Sequence, residues 1–133
     1  ADFKLVPIVV ASSDLSALKS TGRELAAAIK KSGMENEVLI IASSDMTHYE
    51  SQQSAEEKDK QAIEAILKLD EDLLLKRVRE MDISMCGFAP TIMMLTAAKE
   101  LGANKARLVK YQTSGDSSGD YSAVVGYAGI VIS

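Results

Sequence analysis

Val38-Leu39-Ile40-Ile41-Ala42-Ser43-Ser44-Asp45-Met46-Thr47-His48-Tyr49 is the stretch on which both fold and site turn. Its first five residues are all apolar, the pattern of a strand covered on both faces. The polar run that follows holds the only histidine, His48. In open α/β sheets, ligands bind in the crevice at the carboxyl ends of the strands. Ser43 to Tyr49 therefore stands where a site is expected.

The neighbouring segments extend the pattern. Lys4 to Ala11 reads as a second buried strand, through Val6, Ile8, Val9 and Val10. Pro7 places it at an edge or at a strand start. Ser12-Ser13-Asp14 offers N-cap side chains for a helix from Asp14 to Ser32, with Leu15, Leu18, Leu25 and Ile29 on one face and Gly33 as its C-cap. A strand-helix-strand unit of this kind predicts a parallel, right-handed pair.

Further along, Ser54-Ala55-Glu56-Glu57 has the form of a capping box and predicts a helix to Leu69, with Ala62, Ile66 and Leu69 inward. Glu56 to Lys60 reads as its solvated face. Asp70-Glu71-Asp72 opens another helix to Met81. Pro90 suits the first turn of a third helix, closed by Gly102. Lys105 to Tyr111 and Ser122 to Ile132 read as an antiparallel pair joined by the turn-rich loop Thr113 to Asp120. The predicted order is β-α-β-α-α-α-β-β. The fold expectation is α/β: a three-layer-type mixed sheet with a βαβ unit and flanking helices.

The chain has 133 residues, 47% apolar and 26% charged, which suits a single domain over residues 1–133. Net charge is −4 with no basic run, so a nucleic-acid partner is not expected. No apolar run approaches the roughly 20 residues that span a bilayer, so no membrane partner is expected. Ala1-Asp2-Phe3-Lys4 lacks the basic region and apolar core of a signal peptide. The first residue is not methionine, and the expectation is a processed or shortened chain. A single cysteine, Cys86, forms no internal disulfide and fits a reducing, cytoplasmic setting.

Two readings stand at His48: a loop histidine bonded to backbone, or a metal ligand and proton carrier. Asp45 lies three residues earlier. On a helical turn its carboxylate would bond one ring nitrogen and fix the tautomer. Cys86 also has two readings, a small buried hydrophobe or a metal ligand. Ser84 and Gly87 surround it, and a helix starts near Pro90. A helix N-terminus beside a thiol favours the charged, metal-binding form. Gly87 would allow a close backbone approach or a positive φ. If the fold joins the two polar breaks, the His48 and Cys86 side chains should approach within roughly 8 Å. Met93 and Met94 read as core, and Met85 stands near Cys86.

Several motifs together resemble the Memo family, which includes the AmmeMemoRadiSam system protein B. They are Ser43-Ser44-Asp45-Met46-Thr47-His48-Tyr49-Glu50, Ser84-Met85-Cys86-Gly87 with Pro90, Leu95 to Ala103, Lys110 to Asp116, and Gly119-Asp120 with Val125-Gly126-Tyr127-Ala128. The resemblance implies half of a class III extradiol dioxygenase/LigB-like domain, specifically the C-terminal half of a longer family chain. It implies a metal cleft using His48 and Cys86 as ligands, with His48 and Asp45 in catalytic roles. It also implies iron or copper as cofactor and a redox role in the intact protein. Further histidine ligands would come from an N-terminal half without counterpart in these residues. Two ligands alone imply weak metal binding and an inactive isolated chain. The expected partners are the missing half or a second copy. Many members carry arginine after the Cys-Gly pair, where Phe88 stands here. The alternative function is a non-catalytic module binding a peptide or protein in the same cleft.

Overall fold

The computed structural model describes residues 2–133. It is a mixed α/β arrangement of five helices and a three-stranded antiparallel sheet. Helix α1 spans Leu15–Ser32. The Asp14 carboxylate accepts from the Ala17 amide at 2.7 Å, satisfying one of the N–H groups a helix start leaves free. Gly33 ends the helix at φ 69°. Leu18, Ala26 and Ile29 form its buried stripe, and this stripe packs on α4, Phe88–Glu100. Helix α4 is covered on most sides, through Ala89, Ile92, Met93, Leu95 and Ala97. Its position between the other elements explains an apolar composition with no polar face.

Helix α2 spans Gln52–Leu67 and α3 spans Glu71–Glu80. Helix α2 begins earlier than the Ser54 capping box predicts. Ser51 is its N-cap, and the Ser54 hydroxyl turns back to Glu50. Asp70 caps α3 by accepting from the Leu73 amide at 2.8 Å. Glu71 and Asp72 lie in the first turn of α3 and Arg77 and Arg79 in its last, matching the helix dipole at both ends. The core joins α2, α3 and α4 through Ile63, Ile66, Leu74, Val78, Ile92 and Leu95.

Strand β1 is His48–Glu50, β2 is Ala106–Thr113 and β3 is Val124–Ile132, in the order β1-β3-β2. The β2–β3 register runs from Ala106 opposite Ile132 to Thr113 opposite Gly126. The antiparallel pairing is the one the sequence predicts. Alternation turns Leu108, Ala128, Ile130 and Ile132 toward the helical core, and the register shift between Leu108 and Lys110 brings Tyr111 to the same face. The connecting loop contains a short helix, α5, Gly115–Ser118. No helix is long and apolar enough to cross a membrane among the described residues.

The expected βαβ unit is not formed among the described residues. Residues 4–11 and 37–42 lie outside the sheet, and no backbone hydrogen bond joins them. Val9, Leu39 and Ile41 are 95%, 80% and 75% exposed. Parallel strands are stable when neighbours pair both edges and helices cover both faces. Helix α1 links these segments, but no strand among the described residues pairs with either. Apolar composition favours a strand and does not supply its partner.

Candidate metal centre

Two loops form the candidate site. The first runs from Ser43 into β1. The second, 82–87, joins α3 to α4. In the second loop burial alternates: Ile83, Met85 and Gly87 point inward, while Ser84 and Cys86 face out. Extended backbone has this period of two, so anchoring Ile83 and Met85 in the core presents Cys86 at the surface. Met85 and Met93 are core residues, and Phe88 packs against the core.

Four consecutive amides of the first loop are held by three separate parts of the chain. Asp45 N–H donates to Cys86 Sγ at 3.2 Å. Met46 N–H donates to the Gly126 carbonyl at 2.9 Å. Thr47 N–H donates to Asp59 Oδ1 at 2.8 Å. His48 N–H donates to Ser84 Oγ at 2.7 Å. The loop is therefore fixed against the second loop, β3 and α2 at once.

Gly87 permits the loops to meet. A Cβ there would lie 2.4 Å from Ser44 Cβ and 2.5 Å from the Ser43 carbonyl oxygen. Such a contact would force backbone apart. The close approach is thus the role of Gly87, whose φ of −102° is ordinary. Its amide donates to Ser44 Oγ at 2.8 Å, and that hydroxyl donates to the Asp45 carbonyl at 2.7 Å.

Asp45, His48 and Cys86 each place one potential ligand atom within 4.8 Å of the other two. Asp45 Oδ2 lies 3.6 Å from His48 Nε2, too far for a hydrogen bond of normal length. The expected tautomer-fixing bond is thus not made, and the carboxylate stands beside the imidazole as a third donor. The side chains are 48% and 24% exposed respectively, so an ion would reach the group from solvent. Oxygen, nitrogen and sulfur donors together suit a first-row transition ion better than Mg²⁺ or Ca²⁺, which take oxygen ligands. Three protein ligands also match the usual number in catalytic zinc sites.

A polar clamp flanks the group. Lys58 Nζ bonds Glu50 Oε1 at 2.7 Å and the Asp82 carbonyl at 3.1 Å. It ties β1 to the loop that carries Cys86. This lysine, together with the Ser54 hydroxyl, holds the Glu50 carboxyl below its ordinary value. Tyr49, between Glu50 and His48, adopts φ 57°, a left-handed conformation uncommon for a non-glycine residue. Its side chain is exposed while its neighbours turn back into the fold.

Asp59 is the residue the sequence reading misplaced. It was expected on a solvated helix face, and it is fully buried. Helical spacing carries the missed signal. Ala55, Asp59, Ala62 and Ile66 fall on one buried stripe of α2. Ser84 stands out in the sequence only as part of a polar break, because its bond to the His48 amide depends on a contact 36 residues apart.

The Memo-like protein family matches residues 1–131. A MEMO1 family protein of Methanococcoides burtonii is 47% identical over 132 residues, covering 99% of this chain and 49% of the relative. Another, from Methanocaldococcus jannaschii, is 46% identical and covers 99% of this chain and 45% of the relative. A third, from Methanopyrus kandleri, is 42% identical over 129 residues, or 97% of this chain and 45% of the relative. The chain spans about half the length of the curated relatives it matches.

Proposed function

The chain belongs to the Memo-like protein family, and from that premise we propose that it is a metal-binding lobe in which Asp45, His48 and Cys86 hold an iron or copper ion. The convergence of three chemically different donors within 4.8 Å carries this reading. When bound, such an ion supplies Lewis acidity and electron transfer. The residues do the rest. Cys86 Sγ accepts from the Asp45 amide, which stabilises negative charge on sulfur. His48, anchored through its own amide by Ser84, is placed to bind the ion or carry a proton beside it.

The reading includes a redox role for the whole protein, in a dioxygenase-like domain of which this lobe is one half. The partner is the polypeptide that makes up the rest of a Memo-length chain. Two observations support it: the half-length match, and the exposed apolar segments 4–11 and 37–42, which have no ladder partners. Unpaired strand edges recruit further strands. In the full domain, these segments become strands of the mixed sheet. The cavity beside Ser44, lined by Met46, Met85 and Met94, measures about 80 Å³. It is smaller than the roughly 300 Å³ at which ligand pockets usually begin. A second, more open hollow also lined by Ser44, with Lys110, Gln112 and Tyr127, measures about 310 Å³.

Titration with Co²⁺, followed by visible absorption, tests the metal reading. Stoichiometric binding with a sulfur-to-metal charge-transfer band, lost in Cys86→Ser and weakened in His48→Ala, is the expected result. Absence of the band in the folded chain at saturating Co²⁺ would overturn it.

A further inference from the structure

Asp59 lies outside the ligand group, on α2, yet its carboxylate reaches the backbone beside His48. It is fully buried and takes part in no ion pair among the described residues. A buried carboxylate without a cation is costly unless hydrogen bonds replace water. Here two do. Oδ1 accepts from the Thr47 amide at 2.8 Å, and Oδ2 accepts from the Tyr111 hydroxyl at 2.7 Å. Burial, with Asp59 beside it, pushes the Tyr111 hydroxyl far above its ordinary value, so it remains a donor.

The surroundings are built around this carboxylate. A Cβ on Gly126 would lie 1.9 Å from Asp59 Oδ2. No other residue fits there without displacing the acid. Strand β3 already uses Gly126 to receive the Met46 amide and to donate to the Thr47 carbonyl, both at 2.9 Å. It leaves the Thr47 N–H for Asp59. Thr47 is itself fully buried, and its hydroxyl has no hydrogen-bond partner among the described residues. The amide is thus the polar tether of Thr47 to α2.

We propose that Asp59 is a positioning residue for the metal centre, holding Thr47 so that the His48 ring stays within ligand distance of Asp45 and Cys86. The proposal rests on the metal reading above for its purpose, though not for its geometry. Asp59 touches no ligand and acts through one backbone amide. Asparagine retains an oxygen for the Thr47 amide and an amino group for the Tyr111 oxygen. Alanine retains neither.

The test compares wild type, Asp59→Asn and Asp59→Ala by two readouts. In the metal-free proteins, amide NMR and hydrogen exchange are followed at Thr47 and His48. In the second readout, Co²⁺ affinity and band positions are measured. Asp59→Ala should expose the Thr47 amide to exchange, shift the His48 resonances and weaken Co²⁺ by about 10- to 100-fold, the usual effect of losing an outer hydrogen-bond partner. Asp59→Asn should stay close to wild type. A folded Asp59→Ala with unchanged Thr47 and His48 amides, or with unchanged Co²⁺ affinity and spectrum, would overturn the proposal. A role in stability alone would lower the melting temperature without moving the Co²⁺ bands. If Asp59→Ala does not fold, Tyr111→Phe frees Oδ2 and should weaken Co²⁺ in the same direction; no change there overturns the proposal. A wild type that binds no Co²⁺ removes the metal reading, while the metal-free amide data still decide whether Asp59 holds Thr47 and His48.

Discussion

The backbone amide of Asp45 donates to Cys86 Sγ at 3.2 Å across 41 residues of chain. The bond links the two loops at the point where their candidate ligands converge. As a thiol, the same sulfur faces the Asp45 carbonyl at 3.8 Å and can donate to it. The sulfur thus meets both the amide and the carbonyl of one residue.

Gly87→Ala should separate the loops. The added Cβ would meet Ser44 Cβ at 2.4 Å and the Ser43 carbonyl oxygen at 2.5 Å. Overpacking of this kind costs about 1–3 kcal/mol. The expected outcome is a lower denaturation midpoint and a Co²⁺ affinity reduced at least as much as in His48→Ala. Unchanged Co²⁺ binding would show that loop contact is not required for the ligand set.

The Glu50–Lys58 clamp predicts an acid-sensitive contribution to stability. Lys58 first, then Ser54, lower the folded-state value of Glu50 below its ordinary 4.5. The native state therefore takes up this proton less readily than the unfolded chain. The contribution is complete above 4.5 and lost as pH falls through the lowered folded value. Lys58→Met should differ most from wild type near neutral pH, and the gap should close in acid. Urea midpoints measured from pH 7 to 3 check this; a constant gap across that range would count against the clamp.

Leu74→Ala removes a fully buried side chain from the junction of α2, α3 and α4. The expected loss is about 2–5 kcal/mol, combining lost transfer energy with the cavity left behind. Chemical denaturation measures it. A loss below about 1 kcal/mol would mean that the helices do not pack as one core.

Residues 4–11 and 38–42 should exchange their amide hydrogens quickly in the isolated chain, because no backbone bonds among the described residues protect them. Adding the portion of the Methanococcoides burtonii relative outside the matched region should give a one-to-one complex and slow exchange at 38–42. Leu39→Lys with Ile41→Lys should abolish it. Sedimentation showing only self-association, or no complex and no protection, would remove the proposed partner.

Much of the helical structure was legible because its signals are local. Asp14, Asp70 and Gly33 cap helices as their residue types predict, and those bonds span only a few residues. The antiparallel β2–β3 pair follows from two strand patterns separated by a turn-rich loop. The motifs around His48 and Cys86 identified both as candidates, since polar breaks beside apolar runs are visible in one dimension.

Tertiary structure alone decided the rest. Residues 4–11 and 37–42 carry strand composition, but a strand exists only with a partner, and pairing is not a property of a segment. Asp45 became a third donor through a fold that sets its carboxylate 3.6 Å from the imidazole and its amide on the cysteine sulfur. Asp59 looked like one charge in a solvated run, yet Gly126, Tyr111 and Thr47 surround it from distant parts of the chain. Local preference acts over a few residues, whereas burial and ligand convergence depend on which distant residues close around a side chain.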